Sequence, residues 1–416
     1  MELNPKPSRE PDVTIFLPSY DIPEISPINE YAANYLLRQQ LAKNQAAAFN
    51  VEPLAHSGNH TLWVVQPVDE DRQLAGDKMV LKMYDPYVSA GDVAEVAQFT
   101  PTIDAAAHAK SVQNGGRIAR NSKAIEDDAL RLLEQLDVPN VPRLLDTRPL
   151  GAVSLHSFME GSSKPAARFT RADIHAAVDF ITLLQSAPFD PNNLKWSWRL
   201  PFPLQRNTFA KHLAIIRARL GIVTNEIAQY LSAPAQFEQP VPEIMLQYVQ
   251  DHHVPERCKA YQAQFVSRPP SGYKNFIKED LRLCHDDLGA HNMLFTASGT
   301  LNVVDFELFA WNDPAHALSS MLCHNHMLDL PAELHEEAIA HYEKTAPVPA
   351  YIVERVRPLL KLGHIEWIAR CIDSTRTPVL QRRQQANHSF NAQAYTQLQV
   401  QNIHKHLAVL ATLMEA

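Results

Sequence analysis

Residues 283–316 read LCHDDLGAHNMLFTASGTLNVVDFELFAWNDPAH and form the densest polar cluster of the chain. His285 and Asp287 make a His-x-Asp motif, and Asn292 follows shortly after it. Two short apolar runs, HNMLF and LNVVDF, flank the turn sequence TASGT and predict a β-hairpin. Because a hairpin brings its two ends together, we expect Asn292 before it and Asp305 after it to converge.

The residue types of this motif suit the transfer of a phosphoryl group from a nucleotide. Such a transfer needs an oriented hydroxyl and divalent cations that screen the phosphate charge, with little covalent chemistry by the protein. Mg²⁺ takes oxygen ligands from one or two protein side chains together with the phosphates. We therefore expect Asp287 to orient and deprotonate an acceptor, and Asn292 and Asp305 to supply oxygens to Mg²⁺.

The order of these residues resembles a known family. His-x-Asp, four residues, Asn, a short hairpin, then DFE at residues 305–307 and a following Asn-Asp-Pro resemble the aminoglycoside phosphotransferase and choline kinase-like family, which has the protein-kinase-like fold. The resemblance implies that Asp287 is the catalytic base and that Asn292 and Asp305 are metal ligands. It gives His285 a structural role that steadies the loop.

The same resemblance implies nucleotide-binding parts upstream. Enzymes of the protein-kinase-like fold hold the nucleotide phosphates with a strand lysine that pairs with a helical glutamate. Lys82 lies in the strand-like run KMVLKMY, and Glu126 opens the helix-like run IEDDALRLLEQL. The resemblance implies that Lys82 contacts the phosphates and that Glu126 orients it. Glu134 is the alternative partner, because 44 residues (126 − 82) separate the first two.

The run AHSGNHTLWVV (residues 55–65) stands where the family has its phosphate-facing hairpin. The chain has only 12 glycines, and this run holds one of them, so it lacks the Gly-x-Gly-x-x-Gly pattern of protein kinases. Ser57, Gly58 and Asn59, with their backbone N–H groups, are therefore the implied phosphate donors. LHSFMEG (residues 155–161) takes the place of the strand that would contact adenine.

Two positions depart from the usual pattern of the family. GAH at residues 289–291 stands where the family often has His-Pro-Gly, and Ala317 stands where an acid is common. The catalytic and metal positions are intact, so we expect these changes to alter local hydrogen bonding more than chemistry.

Strand and helix patterns divide the chain in two. TLWVVQP and KMVLKMY predict a hairpin, and the apolar spacing from Ser122 to Leu136 predicts an amphipathic helix. After Ser162 the patterns are helical, apart from the hairpin already described. With the resemblance, they predict an α+β fold of the protein-kinase-like two-lobe type. Residues 1–161 would form the nucleotide-binding lobe, and residues 162–416 a helical lobe with the catalytic loop and acceptor site.

Composition limits the class of partner. The 416 residues are 45% hydrophobic and 20% charged, which is typical of a globular protein. The net charge of −8 offers no basic surface for nucleic acid or an anionic membrane. No run approaches the ~18 apolar residues of a membrane span, and four cysteines without paired spacing indicate a reducing compartment. We expect a cytoplasmic protein, and the mild acidity suits a cationic acceptor.

These patterns and the resemblance predict a kinase that uses ATP and Mg²⁺. It would transfer the γ-phosphoryl group to a hydroxyl of an aminoglycoside, sugar, amino alcohol or related small molecule. Two alternatives stay open, a catalytically silent nucleotide-binding scaffold and a protein kinase. The intact Lys82, Asp287, Asn292 and Asp305 argue against the first. The early NDP run (residues 312–314), with no Ala-Pro-Glu element before it, argues against the second.

The run CHNH (residues 323–326) combines residue types that bind zinc. A structural zinc site usually has four ligands, and no second Cys/His pair stands at a typical spacing. We therefore interpret this run as helical packing or as the lining of a substrate pocket.

Overall fold

The computed structural model of the protein places a strand-rich part before a mostly helical part. It describes residues 33, 35–37, 39, 40, 43, 48–57, 60–69, 71, 73, 74, 76–84, 122–147, 153–187, 209–267, 280–386 and 390–415. This order of strands and helices agrees with the predicted α+β class.

The strand-rich part is a five-stranded antiparallel sheet in the order β1-β2-β3-β5-β4. Its strands are β1 (Ala48–Ser57), β2 (His60–Val68), β3 (Met79–Tyr84), β4 (Leu144–Thr147) and β5 (Val153–Ser157). The hairpin predicted from TLWVVQP and KMVLKMY is confirmed as β2 and β3, which pair Leu62 with Lys82. The sequence patterns do not predict β4, because a run of four residues is at the lower limit of a recognisable strand.

The alternation of side chains along each strand determines which of them point away from the hydrophobic core of the sheet. Successive side chains of a strand point to opposite faces. Trp63, Leu81 and Leu155 are fully buried in a hydrophobic cluster on one face. Lys82, next to Leu81 in β3, therefore projects from the other face, where a helix covers it.

That helix is α1 (Ser122–Gln135), which confirms the predicted amphipathic helix. Its apolar side buries Ala129 and Leu133. Asp127, also buried, ties α1 to the sheet because it accepts hydrogen bonds from Ser154 Oγ at 2.7 Å and from Thr147 Oγ1 at 2.5 Å. These bonds fix the helix turn that carries the neighbouring Glu126 over β3.

The helical part confirms the patterns seen after Ser162. Its helices are α2 (Arg171–Gln185), α3 (Phe209–Ser232), α4 (Glu243–Asp251), α5 (Val254–Ser267), α6 (Pro314–Cys323), α7 (Ala332–Thr345), α8 (Ala350–Val353), α9 (Val356–Asp373), α10 (Thr377–Ala386) and α11 (Ala392–Glu415). Among the described helices, none has a stretch that is both long and apolar enough for a bilayer crossing.

Four short strands hold the polar cluster of residues 283–316. The predicted hairpin is confirmed as β7 (Met293–Phe295) and β8 (Leu301–Val303). A second pair, β6 (Arg282–Cys284) and β9 (Ala310–Asn312), encloses the hairpin in the chain and is not predicted by the sequence patterns. The polar loops between these strands therefore begin and end at residues of hydrogen-bonded strands.

The division of the chain at residues 161 and 162 stays a prediction. At this point Ser162 exchanges two backbone hydrogen bonds with Phe295, of 3.1 and 3.0 Å. The segment that follows the sheet is thus attached at once to the β7–β8 hairpin.

A buried ion pair joins the start of α6 to the helices behind it. Arg355 Nη2 donates to Asp313 Oδ1 at 3.0 Å, and both side chains are fully buried. The same oxygen accepts from the backbone N–H of Ala315 and so caps α6. Asp313 therefore has a structural role, because it caps α6 and ties its first turn to Arg355.

We expect Arg355→Met to lower the free energy of unfolding by about 3–5 kcal/mol, because it leaves a buried carboxylate without its charged partner. The matched control is Arg357→Met, two residues away. Arg357 pairs with Glu336 at 2.6 Å, but both side chains are more than half exposed, and such pairs contribute at most about 1 kcal/mol. Urea unfolding of both variants tests this contrast. Equal losses of stability would contradict it.

Candidate active site

The predicted pair of Lys82 and Glu126 is in direct contact. Lys82 Nζ lies 2.6 Å from Glu126 Oε2 and also 2.6 Å from Asp305 Oδ1. The lysine is 4% exposed and the glutamate 1%. The alternative partner Glu134 lies exposed near the end of α1. The structure thus brings together three of the predicted site residues, from β3, α1 and the segment after β8.

Glu126 is held at both carboxylate oxygens. Tyr84 donates its hydroxyl to Oε2 at 2.9 Å, and the backbone N–H of Phe306 donates to Oε1 at 3.2 Å. Burial raises the pKa of Glu126, but the charge and hydrogen bond of Lys82, together with His156, outweigh burial and lower that pKa. Tyr84 is a site residue that the sequence analysis does not predict. Its one available signal is its place two residues after Lys82, on the same face of β3.

Asp305 lies just after β8 in the left-handed region, with φ of 68°. This unusual backbone conformation for a non-glycine residue accompanies its carboxylate's contact with Lys82. Burial raises the pKa of Asp305 to about 6, with Glu307 and Glu126 adding to the rise and Lys82 opposing it. The ionised form of Asp305 is therefore less favoured here than in a solvent-exposed carboxylate.

A second contact joins the sheet to the DFE segment. His60 Nε2, at the start of β2, lies 2.6 Å from Glu307 Oε2. Burial lowers the pKa of His60, but the charge and hydrogen bond of Glu307 together raise it above the ordinary value. The sequence analysis does not predict this pair, since 247 residues separate its members and no local pattern joins them.

The predicted phosphate donors lie at the turn between β1 and β2. Ser57 ends β1, and its backbone pairs with His60 across the turn. Gly58 and Asn59 lie outside the described residues. The role predicted for these three residues therefore stays a prediction.

Asp287 and Asn292 stand on the loop between β6 and β7. Asn292 Nδ2 donates to the backbone carbonyl of Asp287 at 2.9 Å and lies 3.5 Å from its Oδ2. The backbone N–H of Val304 donates to the carbonyl of Asn292 at 3.1 Å, which places Asp305, the next residue, close to Asn292 along the paired backbone. The expected convergence of the two hairpin ends is therefore observed.

His285 attaches this loop to the end of the β7–β8 hairpin. Its Nε2 lies 3.0 Å from the carbonyl of Val304, so the ring donates across the base of the hairpin. Its ring packs edge-on against Phe306, with centroids 4.7 Å apart. Burial lowers the pKa of His285. The ring is thus a neutral structural group, in agreement with the role that the motif implies.

Asp286, between the two motif residues, is held in the left-handed region with φ of 55°. Its carboxylate accepts from Asn312 Nδ2 at 2.5 Å and lies 3.2 Å from His316 Nδ1. Left-handed backbone costs a residue with a Cβ about 1–2 kcal/mol, and these bonds offset that cost. They fix the backbone turn at Asp286, directly before Asp287. The sequence analysis does not predict these partners.

The carboxylate of Asp287 contacts a histidine from the CHNH run. His324 Nε2 lies 3.2 Å from Asp287 Oδ1. Burial raises the pKa of Asp287, but the hydrogen bond from His324 opposes this effect, and the pKa lies below its usual range. Asp287 is therefore an ionised group with an oriented carboxylate.

A cleft opens beside Asp287 between α3, α6 and α9. It is lined by side chains of both charges and by an indole ring, among them Asp286, Arg219, Glu366, Trp367 and Arg370. Arg370 donates to Glu366 at 2.8–2.9 Å, and its guanidinium lies 5.2 Å from the centre of the Trp367 ring. The cleft is thus polar, with an aromatic wall, and ends at the carboxylate of Asp287.

The residues present fit a divalent cation. Two carboxylates, Glu126 and Asp305, meet at Lys82, and Glu307 lies close enough to raise the pKa of Asp305. This excess of negative charge is the environment in which an oxygen-liganded cation is favourable. The amide of Asn292 donates through Nδ2, which leaves its oxygen as a ligand.

Comparison with known proteins gives one family match and a set of similar structures. Residues 116–358 match the model of the Phosphotransferase enzyme family. An ethanolamine kinase from Plasmodium vivax is 13% identical, with 91% of this chain and 87% of that chain covered and a TM-score of 0.51. Choline kinase LicA from Streptococcus pneumoniae is 14% identical, with coverage of 91% and 99% and a TM-score of 0.49. No curated protein matches the chain significantly.

At this identity the ethanolamine kinase likeness concerns the fold alone. With the five-stranded sheet and the helical remainder, it confirms the predicted α+β class and the protein-kinase-like architecture.

The charges around Lys82 predict opposite effects for two neighbouring substitutions. Lys82→Met leaves the buried Glu126 and Asp305 without their cation, so we expect a loss of about 3–5 kcal/mol in the free energy of unfolding. Asp305→Asn removes a carboxylate whose ionised form is less favoured in the folded chain than in the unfolded chain, so it should leave the stability at pH 7 unchanged or raise it. Urea unfolding without nucleotide or metal measures both.

The pH dependence has a definite sign. The folded-state pKa of Asp305 is about 6, above the unfolded value near 4, so the folded state takes up a proton first as the pH falls. Between pH 7 and pH 4 the wild type should therefore gain stability relative to Asp305→Asn. A wild type that loses stability relative to Asp305→Asn as the pH falls through 6 would contradict this account.

Proposed function

The chain belongs to the phosphotransferase enzyme family, as its motifs predict, and we propose that it is an ATP-dependent kinase for a hydroxyl group of a small molecule. The observation that carries the proposal is the contact of Lys82 with both Glu126 and Asp305 at 2.6 Å. A buried lysine in this setting is the phosphate-binding part of a phosphotransferase. The ordered loop of Asp287 and Asn292 beside it supports the same reaction.

For the nucleotide, we assign Lys82 to the phosphates and Glu126 to the orientation of Lys82. The bonds from Tyr84 and Phe306 to Glu126 support this role, because they hold the carboxylate in a fixed position from which it can orient Lys82. Ser57, Gly58 and Asn59 remain the proposed donors of the β1–β2 turn, where backbone N–H groups suit phosphate oxygens.

For the metal, we assign Asn292 and Asp305 as the protein ligands of Mg²⁺. The raised pKa of Asp305 supports this choice, since a bound cation favours the ionised carboxylate. When bound, Mg²⁺ would screen the charge of the phosphates. Lys82, whose ammonium group lies beside Asp305, would hold the phosphates of the nucleotide.

For the acceptor, we assign Asp287 to the hydroxyl that is phosphorylated. The low pKa of Asp287 makes it a weak base, which can hold a hydroxyl by a hydrogen bond without removing its proton in the ground state. This supports a role in which Asp287 orients the hydroxyl before it accepts the proton. The proton passes to Asp287 as the new oxygen–phosphorus bond forms. This timing suits a loose transition state, in which the attacking oxygen gains little charge early.

The cleft beside Asp287 supports a small polar acceptor. Asp286, Glu366 and the face of Trp367 suit an amino group or a hydroxyl next to the reacting hydroxyl, while Arg219 and Arg370 compensate part of the negative charge. We therefore place amino alcohols first among the acceptors to test, including ethanolamine and choline, with aminoglycosides and sugars beside them.

We expect Asp287→Asn to lower kcat by about 10²–10⁴-fold, the usual contribution of a positioned acid or base. Its affinity for ATP·Mg²⁺ should stay close to that of the wild type, because the partners of Lys82 are Glu126 and Asp305, which the substitution leaves intact. Coupled ADP release gives kcat, and calorimetry gives the affinity. A variant that keeps full turnover would contradict the role of Asp287.

The acceptor panel separates the proposed function from its two alternatives. Purified protein with ATP and Mg²⁺ is offered ethanolamine, choline, aminoglycosides, sugars and a generic protein substrate, and the products are resolved by mass spectrometry. Phosphorylation of a small molecule is the expected result. Nucleotide binding without turnover would instead favour the silent scaffold, and phosphate on the protein substrate would favour a protein kinase.

A further inference from the structure

The CHNH run lies against the catalytic loop and not only in the helical core. His324 ends α6, is 3% exposed, and contacts Asp287 through Nε2. The sequence analysis treats this run as packing or pocket lining. The contact gives one of its members a direct connection to the carboxylate that we assign to the acceptor.

The hydrogen bonds of His324 determine which ring nitrogen carries the proton. The backbone N–H of His326 donates to His324 Nδ1 at 3.1 Å, so Nδ1 is an unprotonated acceptor. A neutral imidazole then carries its proton on Nε2, and Nε2–H donates to Asp287 Oδ1. Burial lowers the pKa of His324 by more than the contact with Asp287 raises it, which agrees with a neutral ring.

The catalytic loop leaves room for this ring at Gly289. A Cβ at this position would lie 2.5 Å from His324 Nδ1 and 2.8 Å from His291 Nδ1. Any other residue at this position would therefore displace one of the two imidazoles. On its other side the ring packs edge-on against Trp367, with centroids 4.5 Å apart. The ring of His324 thus sits between the loop and α9.

The C-terminal helix holds the turn that carries His324. Asn325 Oδ1 accepts from His406 Nε2 of α11 at 2.8 Å, and Asn325 Nδ2 lies 3.4 Å from Cys371 Sγ of α9. His406 is fully buried and its Nδ1 lies 2.8 Å from His364 Nδ1. The residue after His324 is therefore fixed by two helices, and this limits the movement of the imidazole.

We propose that His324 is a positioning residue for Asp287, a neutral imidazole whose Nε2–H fixes one carboxylate oxygen so that the other faces the acceptor hydroxyl. The inference rests on the proposed function. In the reaction the hydroxyl oxygen bonds to the γ-phosphorus, the bond from that phosphorus to ADP breaks with its electron pair on ADP, and the hydroxyl proton passes to Asp287 and then to water. His324 keeps its own proton throughout.

A metal ion is the competing explanation of the same cluster. Asp287, His291 and His324 offer ligand atoms within 4.8 Å of one another. An ion on His324 Nε2 would require the ring proton to move to Nδ1, where the N–H of His326 already donates. The hydrogen bond from His326 therefore favours the positioning role, and zinc becomes an outcome of the test.

The test compares His324→Leu with His324→Gln. Leucine fills the space without a donor, whereas the glutamine amide nitrogen can occupy the position of Nε2 and donate to Asp287. We expect His324→Leu to lower kcat by about 10²-fold, the effect of a misplaced reacting group, with the KM for ATP nearly unchanged. His324→Gln should recover most of this loss. Equal impairment of the two variants, or full activity of His324→Leu, would overturn the proposal.

A measurement on the wild type keeps the proposal testable if His324→Leu fails to fold. The ¹⁵N signals of the imidazole, assigned by their loss in His324→Gln, should show a protonated Nε2 and an unprotonated Nδ1. The reverse tautomer would overturn the proposal. So would wild-type turnover at excess Mg²⁺ that a zinc-selective chelator abolishes, because the cluster would then hold an ion.

The proposed function can be contradicted independently of the role of His324. If the wild type phosphorylates no acceptor and hydrolyses no ATP, the kinase assignment falls, while the tautomer measurement still reports whether His324 donates to Asp287.

Discussion

The contact of a buried ammonium with two buried carboxylates is the interaction on which the arrangement of this protein depends. Lys82 comes from the sheet, Glu126 from α1 and Asp305 from the segment after the hairpin. Each of these charges would be costly to bury alone, so the three elements that carry them must meet. Tyr84 and the backbone of Phe306 complete the hydrogen bonds of Glu126. The site is therefore also the joint between the strand-rich and the helical parts.

The polar loops depend in turn on a framework of fixed backbone and buried pairs. The β6–β9 and β7–β8 pairs hold both ends of the catalytic segment. Asp286 turns the backbone before Asp287, and Asp313 with Arg355 anchors the helix that follows. Together with the burial of Leu288, Phe306 and Phe309 in the hydrophobic core, these bonds determine the shape of the segment. The chemistry thus takes place on a segment whose conformation is set by residues that do not react.

The sequence predicts those parts of the site that local pattern encodes. Lys82 lies in a clear strand pattern and Glu126 in a clear helix pattern. Asn292 and Asp305 flank a clear hairpin pattern. Because the family resemblance supplies the order of these elements, it also predicts that the residues lie in one site. Other contacts, such as His60 with Glu307, join residues far apart in the chain. No periodicity or turn signal encodes such pairs, because they depend on how the completed elements pack. β4 and the β6–β9 pair are too short for their patterns to stand out. For the run CHNH at residues 323–326 the sequence predicts packing or pocket lining, and Cys323 does line the cleft beside Asp287. The contact of His324 with Asp287 is not predicted, because Asp287 lies in a separate loop.

The choice of a neutral imidazole beside Asp287 has a physical consequence for catalysis. A lysine or arginine would form a charge-assisted pair with the carboxylate and would compete with the acceptor hydroxyl for its oxygens. A neutral Nε2–H orients the carboxylate but neutralises less of its negative charge. Asp287 therefore keeps most of its capacity to accept a hydrogen bond and a proton from the acceptor hydroxyl. The buried surroundings of His324, with Trp367 on one side and the turn held by Asn325 on the other, favour this neutral form. The C-terminal helix thereby contributes to the catalytic loop, because the buried contact of His406 with Asn325 helps to hold the imidazole that orients Asp287.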